Sequence, residues 1–176
     1  MALKTIFNSL VTDSHDHDVE GVGNLRFEAN GKVYRYVKND DASNALPQSS
    51  LVCHTIANGD TANTAVARSL TANLTALAGA VASTTLAANT GTLPKRFGWI
   101  QVAGTFSSLF YPAGTLTAGT QFYGLDSSSS STDITTANIS TSRYDRFVQL
   151  LTAGSVTTVG ATGTAVVARI SGCLPF

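Results

Sequence analysis

Charge is the scarcest thing in this sequence. Only 12% of its 176 residues are Asp, Glu, Lys or Arg, where an average soluble domain carries roughly 25%. The two signs cancel, so the formal net charge is zero. Nucleic-acid binding needs a basic footprint that neutralises phosphates, and none is present; Lys95-Arg96 alone is too small. Cysteine is nearly as scarce. Cys53 and Cys173 do not make a disulfide framework for a chain of this length. They leave two readings, a single bridge or two reduced and partly buried thiols, and the second is expected of a protein made in a cytoplasm. No stretch approaches the roughly 20 apolar residues that span a bilayer. The longest weakly polar run, 74–88, is interrupted by Thr75, Gly79, Ser83, Thr84 and Thr85, and no membrane partner is expected. Met1 to Phe7 is too short an apolar run for a signal peptide, and Asp13 follows soon after.

Small hydroxylic residues fill the gap left by charge. There are 18 Ser and 24 Thr, beside a hydrophobic share of 43%. That is enough apolar material, in a chain long enough, to bury one core. A hydroxyl-rich surface has few charges to hold it away from neighbours, which suits a protein packed against other protein.

The order of strand and turn signals predicts an all-β sandwich or barrel rather than a βαβ fold. Asn24 to Val37 reads as a hairpin, with Asn30-Gly31 as a type I′ turn between alternating strands. Val33, Arg35 and Val37 share one face of its second strand, and Tyr34 and Tyr36 the other. Asn39 to Asn44 reads as a polar turn, and Leu51 to Ile56 as a short buried strand. Residues 61–88 fit helix and strand about equally: Val66, Leu70, Leu74 and Leu77 make a helical stripe, while threonine favours strand. Phe97 to Gly104 carries the single tryptophan on an alternating strand, and 105–111 continues as an alternating strand bounded by Pro112. Ala113 to Thr120 reads as a hairpin return, 121–123 as a short strand and Ser127 to Thr132 as a surface loop. Phe147 to Leu151 and Thr164 to Ile170 are the last strands, joined through turns that include Ala153-Gly154-Ser155.

Few residues carry chemistry. In an extended segment His15 and His17 lie on one side and Asp16 and Asp18 on the other, so a four-ligand metal site does not close locally. Cys53 and His54 point to opposite faces of a strand and make no catalytic dyad. There is no phosphate-binding Gly loop, Gly-x-Ser-x-Gly elbow or Cys-x-x-Cys pair. No enzyme, metal or cofactor is expected. The acidic 1–22 segment reads as an N-terminal arm or edge that orders against something else, followed by a β-rich domain over 23–176.

A family resemblance rests on Gly31 to Val37 (Gly-Lys-Val-Tyr-Arg-Tyr-Val), Ala78 to Ser83, Phe97 to Gly104 (Phe-Gly-Trp-Ile-Gln-Val-Ala-Gly), Leu116 to Thr120 (Leu-Thr-Ala-Gly-Thr) and the valine-rich terminal strand. In this order they resemble the small capsid decoration, or cement, proteins of tailed bacteriophages, over about 23–172. Gly98, Trp99 and Gly104 match best; 61–77 and the serine run have no counterpart. The resemblance implies a compact β-barrel or β-tulip-like domain with an extended N-terminal arm. It also implies a structural virion protein, made in the host cytoplasm, that binds the capsid exterior at junctions between major capsid protein subunits and stabilises the expanded head. A homo-oligomer, first of all a trimer, is implied as well. Contact residues expected on this reading are Phe7, His15, His17, Tyr34, Arg35, Tyr36 and Trp99. Two rival readings are a receptor- or glycan-binding module of a virion fibre, using Tyr34, Tyr36 and the Ser127 loop, and a minor coat or tail-tube subunit.

Overall fold

The computed structural model describes residues 7–54, 65–67, 76–92, 94–109, 114–116, 121–122, 147–150, 154–156 and 166–171. Every regular element among them is a strand, and the described part of the fold is all-β. In chain order the strands are β1 (Ser14–His15), β2 (Leu25–Phe27), β3 (Val33–Asn39), β4 (Leu51–His54), β5 (Ala65–Ala67) and β6 (Ala76–Val81). They continue as β7 (Phe97–Leu109), β8 (Gly114–Leu116), β9 (Gln121–Phe122), β10 (Phe147–Leu150), β11 (Gly154–Val156) and β12 (Val166–Ser171). The main sheet runs β2-β3-β5-β4-β6-β7-β12-β10-β9, with β1 on β7 and a direct pairing of β3 with β7; β8 and β11 form a separate pair. All pairings are antiparallel except β3 with β5.

β7 is the spine of the sheet, because its two halves serve different neighbours. Phe97 to Ala103 pair with β3, and Gly104 to Leu109 pair with β12. The exchange falls at Gly104, whose φ is +91°; a Cβ there would lie 2.9 Å from the Gly31 carbonyl oxygen. Glycine lets the backbone turn left-handed and approach that carbonyl without breaking the strand. The tryptophan strand, expected to continue over 105–111, runs unbroken from Phe97 to Leu109 as one strand of 13 residues, and 110–111 lie outside the described residues.

Both faces of the β3–β7 ribbon are buried. Tyr34, Tyr36, Phe97 and Trp99 make an aromatic cluster on one face. Register places Arg35 opposite Ile100 and Val37 opposite Gly98 on the other. Val37, Ile100 and Val102 are buried. A Cβ on Gly98 would lie 2.7 Å from Leu86 Cδ2 and 2.6 Å from Ser83 Oγ, so both residues sit where a side chain would otherwise stand. Leu86 bridges Leu46, and neither is exposed to solvent. This two-sided burial is why Val33 to Asn39 shows no simple inside–outside alternation.

The 24–37 hairpin forms as expected, but its turn differs. Gly31 N–H donates to the Glu28 carbonyl (3.0 Å) and Glu28 N–H to the Lys32 carbonyl (2.9 Å). Gly31 has φ +79°, whereas Asn30 is not left-handed. The loop is thus a turn through Ala29 and Asn30 with glycine alone in the left-handed position, the three-residue type rather than type I′. Asn30 Oδ1 accepts the Lys32 N–H instead (3.0 Å), an Asx contact that holds asparagine on the ordinary side of φ.

The 39–44 turn is built by side chains. Asp41 Oδ1 accepts the amides of Ser43 (2.8 Å) and Asn44 (2.9 Å). Buried Asn39 donates to the carbonyls of Asn44, Leu86 and Ala87. Within 61–88 the balance between helix and strand resolves to strand at β5 and β6. Gly79 allows β6 its close approach, since a Cβ there would lie 2.3 Å from the Gln101 carbonyl oxygen. Of Ala153-Gly154-Ser155, expected as a turn, Gly154 and Ser155 lie instead in β11, which pairs β8, and Ala153 lies outside the described residues. The Ser127 loop lies outside the described residues.

Candidate functional site

Register builds the aromatic face. Tyr36 stands opposite Trp99 on neighbouring strands, their ring centroids 5.0 Å apart and tilted by 65°. Phe7 meets Trp99 edge to face at 5.4 Å and 82°. Such geometry sets the positive edge of one ring on the negative face of another. Phe7, Val11, Val19 and Val22 pack against the cluster from 7–22. The segment expected as an arm therefore lies, from Phe7 onward, as a strap across its own sheet.

Polar contacts fix the strap. Trp99 Nε1–H donates to Ser9 Oγ at 3.0 Å. Ser9 then donates both its N–H and its Oγ–H to Glu20 Oε1, each at 2.6 Å. Arg26 donates to the Ser9 carbonyl (3.0 Å), lies 5.3 Å from the Phe7 ring centroid and pairs with Glu28 at 3.1 Å. Buried Ser83 bridges strap and strand: its Oγ donates to the Val11 carbonyl (3.1 Å) and accepts the Trp99 backbone N–H (2.6 Å). Thr84 N–H donates to the Thr12 carbonyl (2.8 Å). β1 adds the backbone pairings Ser14 with Gly98 and His15 with Phe97.

The acidic residues of the strap hold its turns. Asp13 Oδ2 accepts the Leu10 N–H at 2.9 Å. Asp18 accepts the amides of Gly21 (2.7 Å) and Val22 (3.0 Å). Only Asp16 is turned to His17, whose Nδ1 lies 2.5 Å from its carboxylate. That hydrogen bond holds the Asp16 carboxyl below its ordinary range.

The histidines separate. His15 lies over the aromatic face, its ring centroid 6.4 Å from that of Tyr36, whereas the His17 side chain is exposed. Regular extended geometry ends at His15 and the chain bends at Asp16 and His17, so the expected same-side placement does not arise. Among the described residues no group of three or more His, Cys, Asp or Glu is placed to hold a metal ion.

Burial sorts the expected contact residues. Tyr34, Arg35, Tyr36 and Trp99 are 5%, 5%, 0% and 0% exposed, so the chain's own fold covers them. Phe7 and His15 are half-buried and His17 faces solvent. Burial, with the Glu28 charge adding to it, raises the Tyr34 hydroxyl above its ordinary pKa. Burial pushes Tyr36 up to about 12, partly offset by the backbone at Val19. Neither phenol supplies an ionised oxygen at neutral pH.

Ser9, Glu20, Arg26 and Ser83 hold this arrangement and were not singled out by the sequence. Their partners lie far along the chain, 90 residues for Ser9 with Trp99, and no local spacing encodes that. No family model, curated protein or solved structure matches this chain.

Proposed function

We propose that this chain is a structural virion protein: it binds the outside of a phage capsid at junctions between coat subunits and stabilises the expanded head. The observation that carries the reading is where the chain's reactive side chains are spent. Asp13 and Asp18 hold turns within the strap, Glu20 holds Ser9, and Ser9 and Arg26 join the strap to the sheet. Such an arrangement stiffens a body and does not aim a nucleophile or base at a substrate. The resemblance carried by 31–37, 97–104 and 116–120 supplies the partner. A low-charge, hydroxyl-rich exterior suits dense packing on a protein lattice.

A barrel is the finer fold that goes with this reading. It is supported by the circuit of pairings β3-β5-β4-β6-β7, which returns to β3 through the direct β3–β7 pairing. A protein that binds only the expanded lattice stabilises that lattice by linkage. Many weak, symmetry-related sites sum to a large effect.

Co-sedimentation with undecorated capsids tests the proposal. Saturation at a fixed ratio to coat subunits on expanded shells, with little binding to unexpanded ones, is the expected result. Failure to bind expanded shells overturns it, and binding to bacterial envelope polysaccharide instead would select the fibre reading.

A further inference from the structure

The hairpin edge carries information that the strap does not use. β2 pairs with β3, and no other strand among the described residues pairs with its outer edge. Tyr36 N–H donates to the Asn24 carbonyl and Glu28 N–H to the Lys32 carbonyl, both at 2.9 Å. With a period of two, the backbone groups of residues 24, 26 and 28 turn toward β3, and those of Leu25 and Phe27 turn away from it. Phe27 is 69% exposed, one of two large hydrophobic side chains so open among the described residues. An open edge beside an exposed aromatic is a template for adding a strand.

We propose that the occupant is a second copy of this chain, adding β2 to β2 antiparallel about a twofold axis at Phe27. The sequence of the edge selects that register. With the axis at Phe27, each Phe27 faces its counterpart as a hydrogen-bonded pair, and the two rings cover each other. Arg26 of each copy then stands opposite Glu28 of the other, in the non-hydrogen-bonded positions where side chains come closest. Moving the axis to Arg26 sets Arg26 against Arg26, a like-charge pair. A slip of one residue presents the wrong backbone groups and faces. Arg26 and Glu28 already lie together on one side of β2, 3.1 Å apart and only partly exposed, so the cross-pair forms without moving either strand. The edge is short, and the dimer is accordingly weak and concentration-dependent. Nothing in this inference requires a capsid, so it stands or falls separately from the proposed function.

Analytical ultracentrifugation of the whole chain tests it. The native protein should show a monomer–dimer equilibrium. Phe27→Pro should be monomeric with unchanged Trp99 emission, because the N–H it removes faces outward and the β2–β3 ladder keeps its bonds. Glu28→Arg should weaken the dimer roughly tenfold, as two close pairs change from opposite to like charge. Should Phe27→Pro disturb folding, Phe27→Cys replaces it in a chain with Cys53 and Cys173 changed to Ser. Two Cα atoms about 5.5 Å apart lie within disulfide reach, so the two copies should cross-link. A native chain that is monomeric at every concentration overturns the proposal. So does an oligomer unmoved by Glu28→Arg, or a Phe27→Cys chain that does not cross-link.

Discussion

Phe7 and Phe27 lie on either side of the same arginine, and they meet opposite fates. Phe7 stands beneath the Arg26 guanidinium and edge-on to Trp99, inside the strap's contact with the sheet. Phe27, one residue beyond Arg26, points the other way and is 69% exposed on an edge that no other strand among the described residues pairs. The strapped face is closed by contacts that are distant in sequence, whereas the hairpin edge is made by local alternation and left open. Stability is concentrated in the first region and capacity for association in the second.

Substitutions sharpen this contrast. Trp99→Ala should have the largest effect, about 3–5 kcal/mol of lost stability, because it empties the centre of the aromatic face and strands Ser9; urea unfolding followed by circular dichroism measures it. Alkaline pH comes next. The unfolded Tyr36 phenol ionises near 10, whereas the folded one keeps its proton up to about 12. The stabilisation is complete below pH 10 and is lost as pH rises toward 12, where the unfolded chain has already released the proton. Urea midpoints should therefore fall across that window, and Tyr36→Phe should flatten the fall.

Ser9→Ala should cost about 1–3 kcal/mol by leaving the buried Trp99 N–H without its acceptor and Glu20 with the backbone amide alone. Its unfolding midpoint, set beside that of Ser9→Thr, separates the lost hydroxyl from lost packing. Gly31→Ala has open space for a Cβ but a φ of +79°, and should cost only about 1 kcal/mol. On the open edge, Phe27→Ser should change stability by less than about 0.5 kcal/mol. A large loss of thermal stability there would remove the distinction between the two regions.

Local patterns made much of the fold legible. Alternation with Asn30-Gly31 predicted the hairpin, and the runs at 51–56, 147–151 and 164–170 predicted strands that overlap β4, β10 and β12. What alternation missed was two-sided burial: Tyr34 and Arg35 are both covered because strap and sheet pack on opposite faces of one ribbon. Within the Ala- and Thr-rich stretch 61–88, propensity left 76–81 ambiguous, and pairing with β4 and β7 decides it, as tertiary context commonly overrides propensity. In the strap, Asp13 and Asp18 read only as part of an acidic segment, because the amides they accept belong to turns that only the folded-back segment creates. Ser83 gave no signal at all, since its role depends on Gly98 leaving room for it.

The most direct test of the central claim is the rupture temperature of expanded, undecorated capsids, measured with and without saturating amounts of this protein. The account predicts that rupture moves to higher temperature, and that the increase saturates at the same ratio to coat subunits as binding does. Shells that rupture at an unchanged temperature while fully coated would contradict it.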